Sequence, residues 1–294
     1  MYFRGYEITE GENLVKVEGV RDFDPVHTFE CGQCFRWNKE PDGSFTGVVG
    51  TQVGNVKSGN DSLVIRNTSL EAFKDTWFDY LDLGRDYSQI KKKLMKDEIM
   101  EKAIAFGGGI RLLRQDLWEA LISFIISANN RITRIMQIVA SLSRIYGDEL
   151  LAEGKTYYTF PGVDKLRDAC LEELGLCRGG FRCKYILNTV RAIASGEVDL
   201  SQLEKMDAVA ARKLLTTLTG VGDKVADCTL LYSGTKHDVF PTDVWVKRVM
   251  EELYLKRQAS FAEIQAFARE YFGELAGFAQ QYLFYYAREN RIGA

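Results

Sequence analysis

The chain has 294 residues and a mass of 33.4 kDa, room for roughly two domains at about 150 residues each. With 46% hydrophobic and 27% charged residues it is too apolar for a disordered chain, and no run approaches the ~18 consecutive apolar residues of a membrane span. The net charge of −3 excludes a protein held to nucleic acid by bulk positive charge, so any reader of nucleic acid here concentrates its cations locally.

Residues 1–30 are interrupted by Arg4, Glu7, Glu10, Glu12, Lys16 and Glu18, which leaves no apolar leader. Six cysteines are too few for a disulfide scaffold in a chain this long. Both observations point to a reducing cytoplasm. From Leu14 to Arg66 the texture is strand-like: Cys34–Trp37, Ser44–Val49, Val53–Val56 and Leu63–Ile65, with turns at Pro41-Asp42-Gly43 and Gly59-Asn60-Asp61. An antiparallel meander is predicted. Helices follow over Leu70–Leu81, capped by Ser69, and over Tyr87–Leu94.

After Ile99 an i, i+3, i+4 apolar rhythm predicts helices over Leu113–Ile126, Ile132–Tyr146, Lys184–Ala194, Ala208–Leu218, Lys224–Tyr232, Thr242–Leu253 and Phe261–Phe272. Pro161 and Pro241 fall in connections between them. The expected fold class is therefore α+β. An N-terminal antiparallel sheet domain with two helices spans residues 1–98, and a larger all-α domain spans 99–294.

The chemistry concentrates in Leu218-Thr219-Gly220-Val221-Gly222-Asp223-Lys224-Val225-Ala226-Asp227, a short turn between two helical patterns. Glycine permits positive φ and close approach of another backbone. The N–H groups of Gly220, Val221, Gly222 and Val225, around the start of the second helix, form a natural seat for a phosphate, which needs no net positive charge. A plain αα-hairpin explains the glycines equally well. Lys224, however, sits in a first turn, where the dipole disfavours a cation and favours the neutral, nucleophilic amine. Nineteen residues later Phe240-Pro241-Thr242-Asp243 sets a carboxylate at the start of another helix, where it either caps or stabilises positive charge.

The stretch Gly220-Val221-Gly222-Asp223-Lys224-Val225-Ala226-Asp227-Cys228, followed by Phe240-Pro241-Thr242-Asp243, resembles the helix-hairpin-helix glycosylase superfamily and within it the 8-oxoguanine DNA glycosylase/lyases. Gly32-Gln33-Cys34-Phe35-Arg36-Trp37, Ser127-Ala128-Asn129-Asn130, Phe181-Arg182 and Ala279-Gln280-Gln281-Tyr282-Leu283-Phe284 extend the likeness over nearly the whole chain. The resemblance implies a DNA repair enzyme that flips and excises 8-oxoguanine from duplex DNA. Lys224 would attack C1′ and form a Schiff base, β-elimination would then nick the strand, and Asp243 would stabilise the charge developing on the sugar.

The same likeness implies that Cys228 and Phe284 sandwich the damaged base, that Gln280 reads its pairing edge, and that the Gly32 carbonyl accepts from N7–H. Asn129, Arg134 and Arg182 would read the orphaned cytosine, with Asn130 beside them and Phe181 as the wedge. Two stretches rich in cations and free of acids, Ser127–Tyr146 and Gly175–Ala194, supply the local positive charge. Trp245 stands where animal members carry a histidine near phosphate.

Cys31-Gly32-Gln33-Cys34 looks like half a zinc site, but no second pair completes it, and no metal is assigned. No cysteine follows Cys228, which argues against an iron–sulfur cluster. The hairpin of the family can hold a monovalent cation on main-chain carbonyls, here those of Thr216, Leu218 and Val221. The expected partner is duplex DNA carrying 8-oxoguanine, preferably opposite cytosine, bound by a monomer on the chromosome inside the cell. The alternatives are a glycosylase for another damaged base on the same scaffold, or a DNA-binding module without catalysis. A module of that kind has no use for Lys224, Asp243 and Cys228 together.

Overall fold

In Val15-Lys16-Val17 and Leu63-Val64-Ile65 the outer residues are fully buried and the middle one is not, the period of a sheet covered on one face. The computed structural model, which describes residues 1–293, arranges seven strands in one antiparallel sheet. They are β1 (Tyr2–Phe3), β2 (Tyr6–Gly11), β3 (Leu14–Glu18), β4 (Trp37–Lys39), β5 (Phe45–Val49), β6 (Gln52–Gly59) and β7 (Ser62–Arg66). Their order is β1-β2-β3-β7-β6-β5-β4, so the simple meander is corrected: β3 pairs with β7, and Val15 faces Ile65. β1 and β2 were not anticipated. The strand expected over Cys34–Trp37 begins only at Trp37, because the Cys31–Arg36 backbone is an irregular loop. Phe73, Trp77 and Phe78, on a helix that passes through a π turn at Phe73–Trp77, cover the sheet's apolar face. Ser69 caps that helix by accepting from the Ala72 amide at 3.2 Å.

The predicted helices recur as Tyr87–Leu94, Leu117–Ser127, Ile132–Tyr146, Arg182–Ala194, Ala208–Leu215, Asp223–Tyr232, Val244–Met250 and Phe261–Phe272. Asp116 sets the late start of the third sequence-predicted one, capping the Glu119 amide at 2.8 Å. Helices over Glu98–Phe106 and Ala276–Glu289, and a small hairpin of Glu149–Ala152 with Lys155–Tyr158, complete the helical half. Tyr87, Ile90 and Leu94 pack into the helical core, whereas Leu113 packs under the sheet. The two cores thus interlock across the chain crossing. Gln33 fastens that seam: its side chain donates to the Thr28 and Arg111 carbonyls, both at 2.8 Å, and accepts from the Leu113 amide at 2.9 Å. No helix among the described residues is long and apolar enough to cross a membrane.

The Ala208–Leu215 and Asp223–Tyr232 helices form the hairpin that the two glycines announced. Gly220 has φ +84°, and a Cβ there would lie 2.3 Å from the Tyr185 ring. Glycine is required twice over. Gly222 has open space where its Cβ would be, and it starts the helix with no side-chain cap, so the amides of the first turn face outward unpaired by any cap. Replacement of Gly220 by Ala is expected to cost about 1–3 kcal/mol from the backbone alone, and more once Tyr185 is displaced. A thermal melt of Gly220→Ala, lower by several degrees, checks this; adding Tyr185→Ala should recover only part of the loss.

Candidate active site

The Asp223–Tyr232 helix lies against the Leu117–Ser127 helix, and Tyr232 stacks on Phe124 at 5.1 Å. Lys224 therefore emerges beside the end of that neighbour. Its Nζ donates to Ser127 Oγ at 3.3 Å and sits 5.4 Å from the Phe124 ring centroid. The Ser127 hydroxyl itself donates to the Phe124 carbonyl at 2.7 Å, which leaves its oxygen free to accept from the lysine. Asp243 is the N-cap of Val244–Met250, accepting from the Val246 amide at 2.7 Å. The helix expected over Thr242–Leu253 accordingly starts one residue after Asp243 and ends in a π turn over Glu251–Leu255.

One turn after Lys224, Cys228 projects to the same face, and burial pushes its thiol up to about 11, partly offset by the lysine. Gly32 enters from the loop between the two cores, Gln280 and Phe284 from the Ala276–Glu289 helix. All six side chains or backbones line one cavity of about 60 Å³: Gly32, Lys224, Cys228, Asp243, Gln280 and Phe284. Gln280 is 3% exposed and its Oε1 has no hydrogen-bond partner among the described residues. A buried carbonyl oxygen without a donor is costly, so its presence in a cavity wall marks a group waiting for a ligand's N–H. Gly32 has φ +90°, and a Cβ on it would meet Phe284 at 3.3 Å. Gln281 holds the loop in place, donating to the Cys31 carbonyl at 3.2 Å while accepting from Tyr232 at 2.7 Å. Cys31 and Cys34 are buried and directed at the Thr28 and Phe29 carbonyls, and no group of three His, Cys, Asp or Glu among the described residues could hold a metal ion.

Outside this cavity opens a cleft of about 700 Å³ whose walls include Asn129, Asn130, Arg134, Trp245, Lys224 and Asp243. The last two line both spaces and so stand at the threshold between them. Asn129 is exposed with φ +52°, and the loop that carries it is held by Arg182, whose Nε donates to the Ala128 carbonyl at 2.7 Å and Nη2 to that of Asn129 at 2.8 Å. Burial and the nearby Arg134 charge both push the Arg182 guanidinium down. Arg134 spends one N–H on the Arg178 carbonyl at 3.0 Å. Phe181 is 56% exposed, an expensive place for a bare aromatic ring unless something covers it. It meets Tyr185 edge-on at 5.6 Å, which in turn abuts Gly220, so Phe181 and the hairpin belong to one surface. Trp245 donates to the Ile292 carbonyl at 2.9 Å and meets Phe284 edge-on at 5.2 Å.

Comparison with known proteins agrees with this geometry. The family model described as HhH-GPD superfamily base excision DNA repair protein matches residues 122–274, and the chain belongs to that superfamily. Residues 17–121 match the model for the 8-oxoguanine DNA glycosylase N-terminal domain. The N-glycosylase/DNA lyase OGG1 of Arabidopsis thaliana is 33% identical over 87% of this chain and 75% of its own length. The probable N-glycosylase/DNA lyase of Methanothermobacter thermautotrophicus is 34% identical over 67% and 70%. Among solved structures, the Clostridium acetobutylicum 8-oxoguanine glycosylase/lyase, bound to duplex DNA with cytosine opposite 8-oxoguanine, superposes with a TM-score of 0.95 at 44% identity, covering 97% of this chain and 99% of that one.

Sequence reasoning missed the groups that fix the helix of Lys224 and the turn before Asp243. Asp227, 1% exposed, takes Arg212 through both oxygens at 2.6 and 3.0 Å. Beside it Gln265 donates to the Phe240 carbonyl at 2.6 Å and to Thr242 Oγ1 at 3.0 Å, pinning the two residues nearest Asp243 across Pro241. Neither a lone glutamine nor a helical arginine carries a signal in the sequence. Gln265→Leu removes both bonds and leaves the buried Phe240 carbonyl only the Thr242 hydroxyl at 2.8 Å, a loss worth about 1 kcal/mol. The expected outcome is roughly tenfold slower single-turnover excision with DNA affinity unchanged, measured by quench kinetics beside gel-shift titration.

Proposed function

We propose that this bifunctional DNA N-glycosylase/lyase excises 8-oxoguanine from duplex DNA with Lys224 as nucleophile and Asp243 as electrostatic partner. The observation that carries the proposal is the convergence of Gly32, Lys224, Cys228, Asp243, Gln280 and Phe284, from four separate stretches of chain, on one cavity with an unpaired acceptor in its wall. The lone pair of Nζ attacks C1′ as the bond from C1′ to N9 breaks and the base departs with its electron pair. Asp243, already fixed by its cap bond, offsets the positive charge on the sugar as it develops. The C1′–O4′ bond then breaks, with O4′ taking a proton from the amine, and the adduct opens to a Schiff base; loss of its C2′ proton expels the 3′ phosphate.

Cys228 and Phe284 are proposed to sandwich the base, Gln280 to accept from its pairing edge, and the Gly32 carbonyl to accept from N7–H, which guanine lacks. The first-turn amides behind Gly220, Val221 and Gly222, with Val225, would grip backbone phosphate. A monovalent cation fits the turn: the Leu218 carbonyl accepts one amide bond, from Val221 at 3.1 Å, and keeps its second lone pair. Thr216, Leu218 and Val221 would hold it. The enzyme would work inside the cell, on the chromosome.

Lys224→Ala should abolish both excision and borohydride trapping while duplex binding survives, because the phosphate contacts come from main chain. Full activity in the purified variant would sink the covalent mechanism. Asp243→Asn should fold, since an amide caps almost as well, yet excise far more slowly; a variant that merely unfolds would leave the electrostatic role unsupported.

Asn129, Arg134 and Arg182 are proposed to read the base left behind. Cytosine offers two acceptors, O2 and N3, to guanidinium donors, whereas adenine sets an amine against them, at about 1–3 kcal/mol per lost contact. Excision of 8-oxoguanine should therefore run roughly tenfold faster opposite cytosine than opposite adenine, and Arg134→Met should erase much of the difference. Rates measured opposite all four bases decide this. A loss spread evenly over the four would assign Arg134 to phosphate instead.

A further inference from the structure

Gln280, Phe284 and Arg288 succeed one another at intervals of four on the Ala276–Glu289 helix, so they share one face, and the first two line the small cavity. Arg288 is the only one of the three without a role so far. Its fork is held from two sides: Nη2 donates to the Glu30 carbonyl at 2.7 Å and Nε to Glu289 Oε1 at 2.9 Å. The third nitrogen, Nη1, is buried and has no hydrogen-bond partner among the described residues. It lies 3.4 Å from where a Cβ on Gly32 would be, and the Phe284 ring lies beneath the guanidinium, 5.7 Å from its carbon.

A cationic N–H that is buried without an acceptor is among the costlier arrangements a fold retains. Free rotation does not explain it, because Glu30 and Glu289 fix the fork. Nor does the cavity as it stands admit a ligand: about 60 Å³ holds a few waters and no purine. The guanidinium stands near two rings, Tyr285 at 5.4 Å from its carbon and, at 5.7 Å, half-buried Phe284, the one that lines the cavity. Displacement of Phe284 by a base would bring that base beside Gly32 and the unpaired donor.

We infer that Arg288 is a specificity-determining residue whose Nη1 donates to the oxygen on C8 of the damaged base. The inference rests on the proposed contact between the Gly32 carbonyl and N7–H. N7 and C8 are bonded neighbours, so the lesion presents a donor and an acceptor side by side. Gly32 O and Arg288 Nη1 offer the matching acceptor and donor. Guanine presents an acceptor at N7 and a C–H at C8, and mismatches both.

The test uses full-length protein carrying Lys224→Gln, which cannot turn over, titrated with duplexes containing 8-oxoguanine, guanine or a tetrahydrofuran abasic site opposite cytosine. Adding Arg288→Met should weaken binding to 8-oxoguanine about tenfold and leave the guanine and abasic duplexes unchanged. Arg288→Lys keeps a donor and should recover part of the loss. In the otherwise native enzyme, Arg288→Met should slow excision of 8-oxoguanine while cleavage at a preformed abasic site stays at the native rate. Equal weakening on all three duplexes would assign Arg288 to phosphate or to folding and overturn the inference, as would unchanged discrimination. If the Lys224→Gln parent itself fails to prefer 8-oxoguanine over guanine, it is the base-reading assignment of the cavity that falls.

Discussion

The Arg212–Asp227 ion pair fixes how the Asp223–Tyr232 helix is rotated, and the direction of Lys224 and Cys228 follows from that rotation. Asp227 points away from the cavity, into the gap between the two hairpin helices, and is nearly inaccessible to solvent. Burial raises its carboxyl to about 6 even with the guanidinium beside it, so the pair is a net expense in desolvation. What such a bidentate bond supplies is geometry. Removing either partner leaves a buried charge uncompensated, so alternative rotations of the helix are strongly disfavoured. Positions 224 and 228 are thereby held toward Phe124, Gly32 and Phe284, a face on which a purine can be stacked and a sugar attacked.

The negative net charge poses no obstacle to DNA binding, because the contacts the surface offers are dipolar and local. The uncapped first turn at Gly222 supplies amides, and Arg134, Arg178 and Arg182 cluster round the Asn129 loop with no acid nearby in sequence. Much of that cationic density is already engaged with main-chain carbonyls. Arg182 in particular shapes the loop through the Ala128 and Asn129 carbonyls, which fixes the Asn129 loop against its helix.

How far the sequence disclosed this structure follows from how local each feature is. The hairpin, its glycines and Lys224 are encoded within a few residues of one another, and the Asp243 cap within its own short motif nineteen residues on, and they were legible. The helices over Tyr87–Leu94, Ile132–Tyr146 and Phe261–Phe272 came out with the predicted bounds, since each has one clean apolar stripe. Ala276–Glu289 did not, because residues 276–283 are all buried and no polar face interrupts the apolar run. Pairing of β3 with β7 depends on contacts almost fifty residues apart, which alternation alone does not choose. The placing of Gly32, Gln280 and Phe284 came from family resemblance, and nothing in their local pattern singles them out. Gln265 and Arg212 stayed hidden because their role is relational: each matters for the carbonyl or carboxylate it finds, and that partner lies on another element.

The two cavities describe a division of labour that a static pocket could not perform. The outer cleft is broad, with polar and apolar walls; the inner one is small and has Phe284 in its wall. Lys224 and Asp243 stand where they meet, so the proposed nucleophile would have a sugar before it only once a base had passed the threshold. Undamaged bases face two unpaired groups, the Gln280 oxygen and the Arg288 nitrogen, whose desolvation has already been met in folding. On the proposed assignments 8-oxoguanine would satisfy both, whereas guanine, whose pairing edge is the same, would satisfy Gln280 and leave Arg288 unpaired. On that reading selectivity would reside in what the base recovers on entering the inner cavity, ahead of any bond breaking.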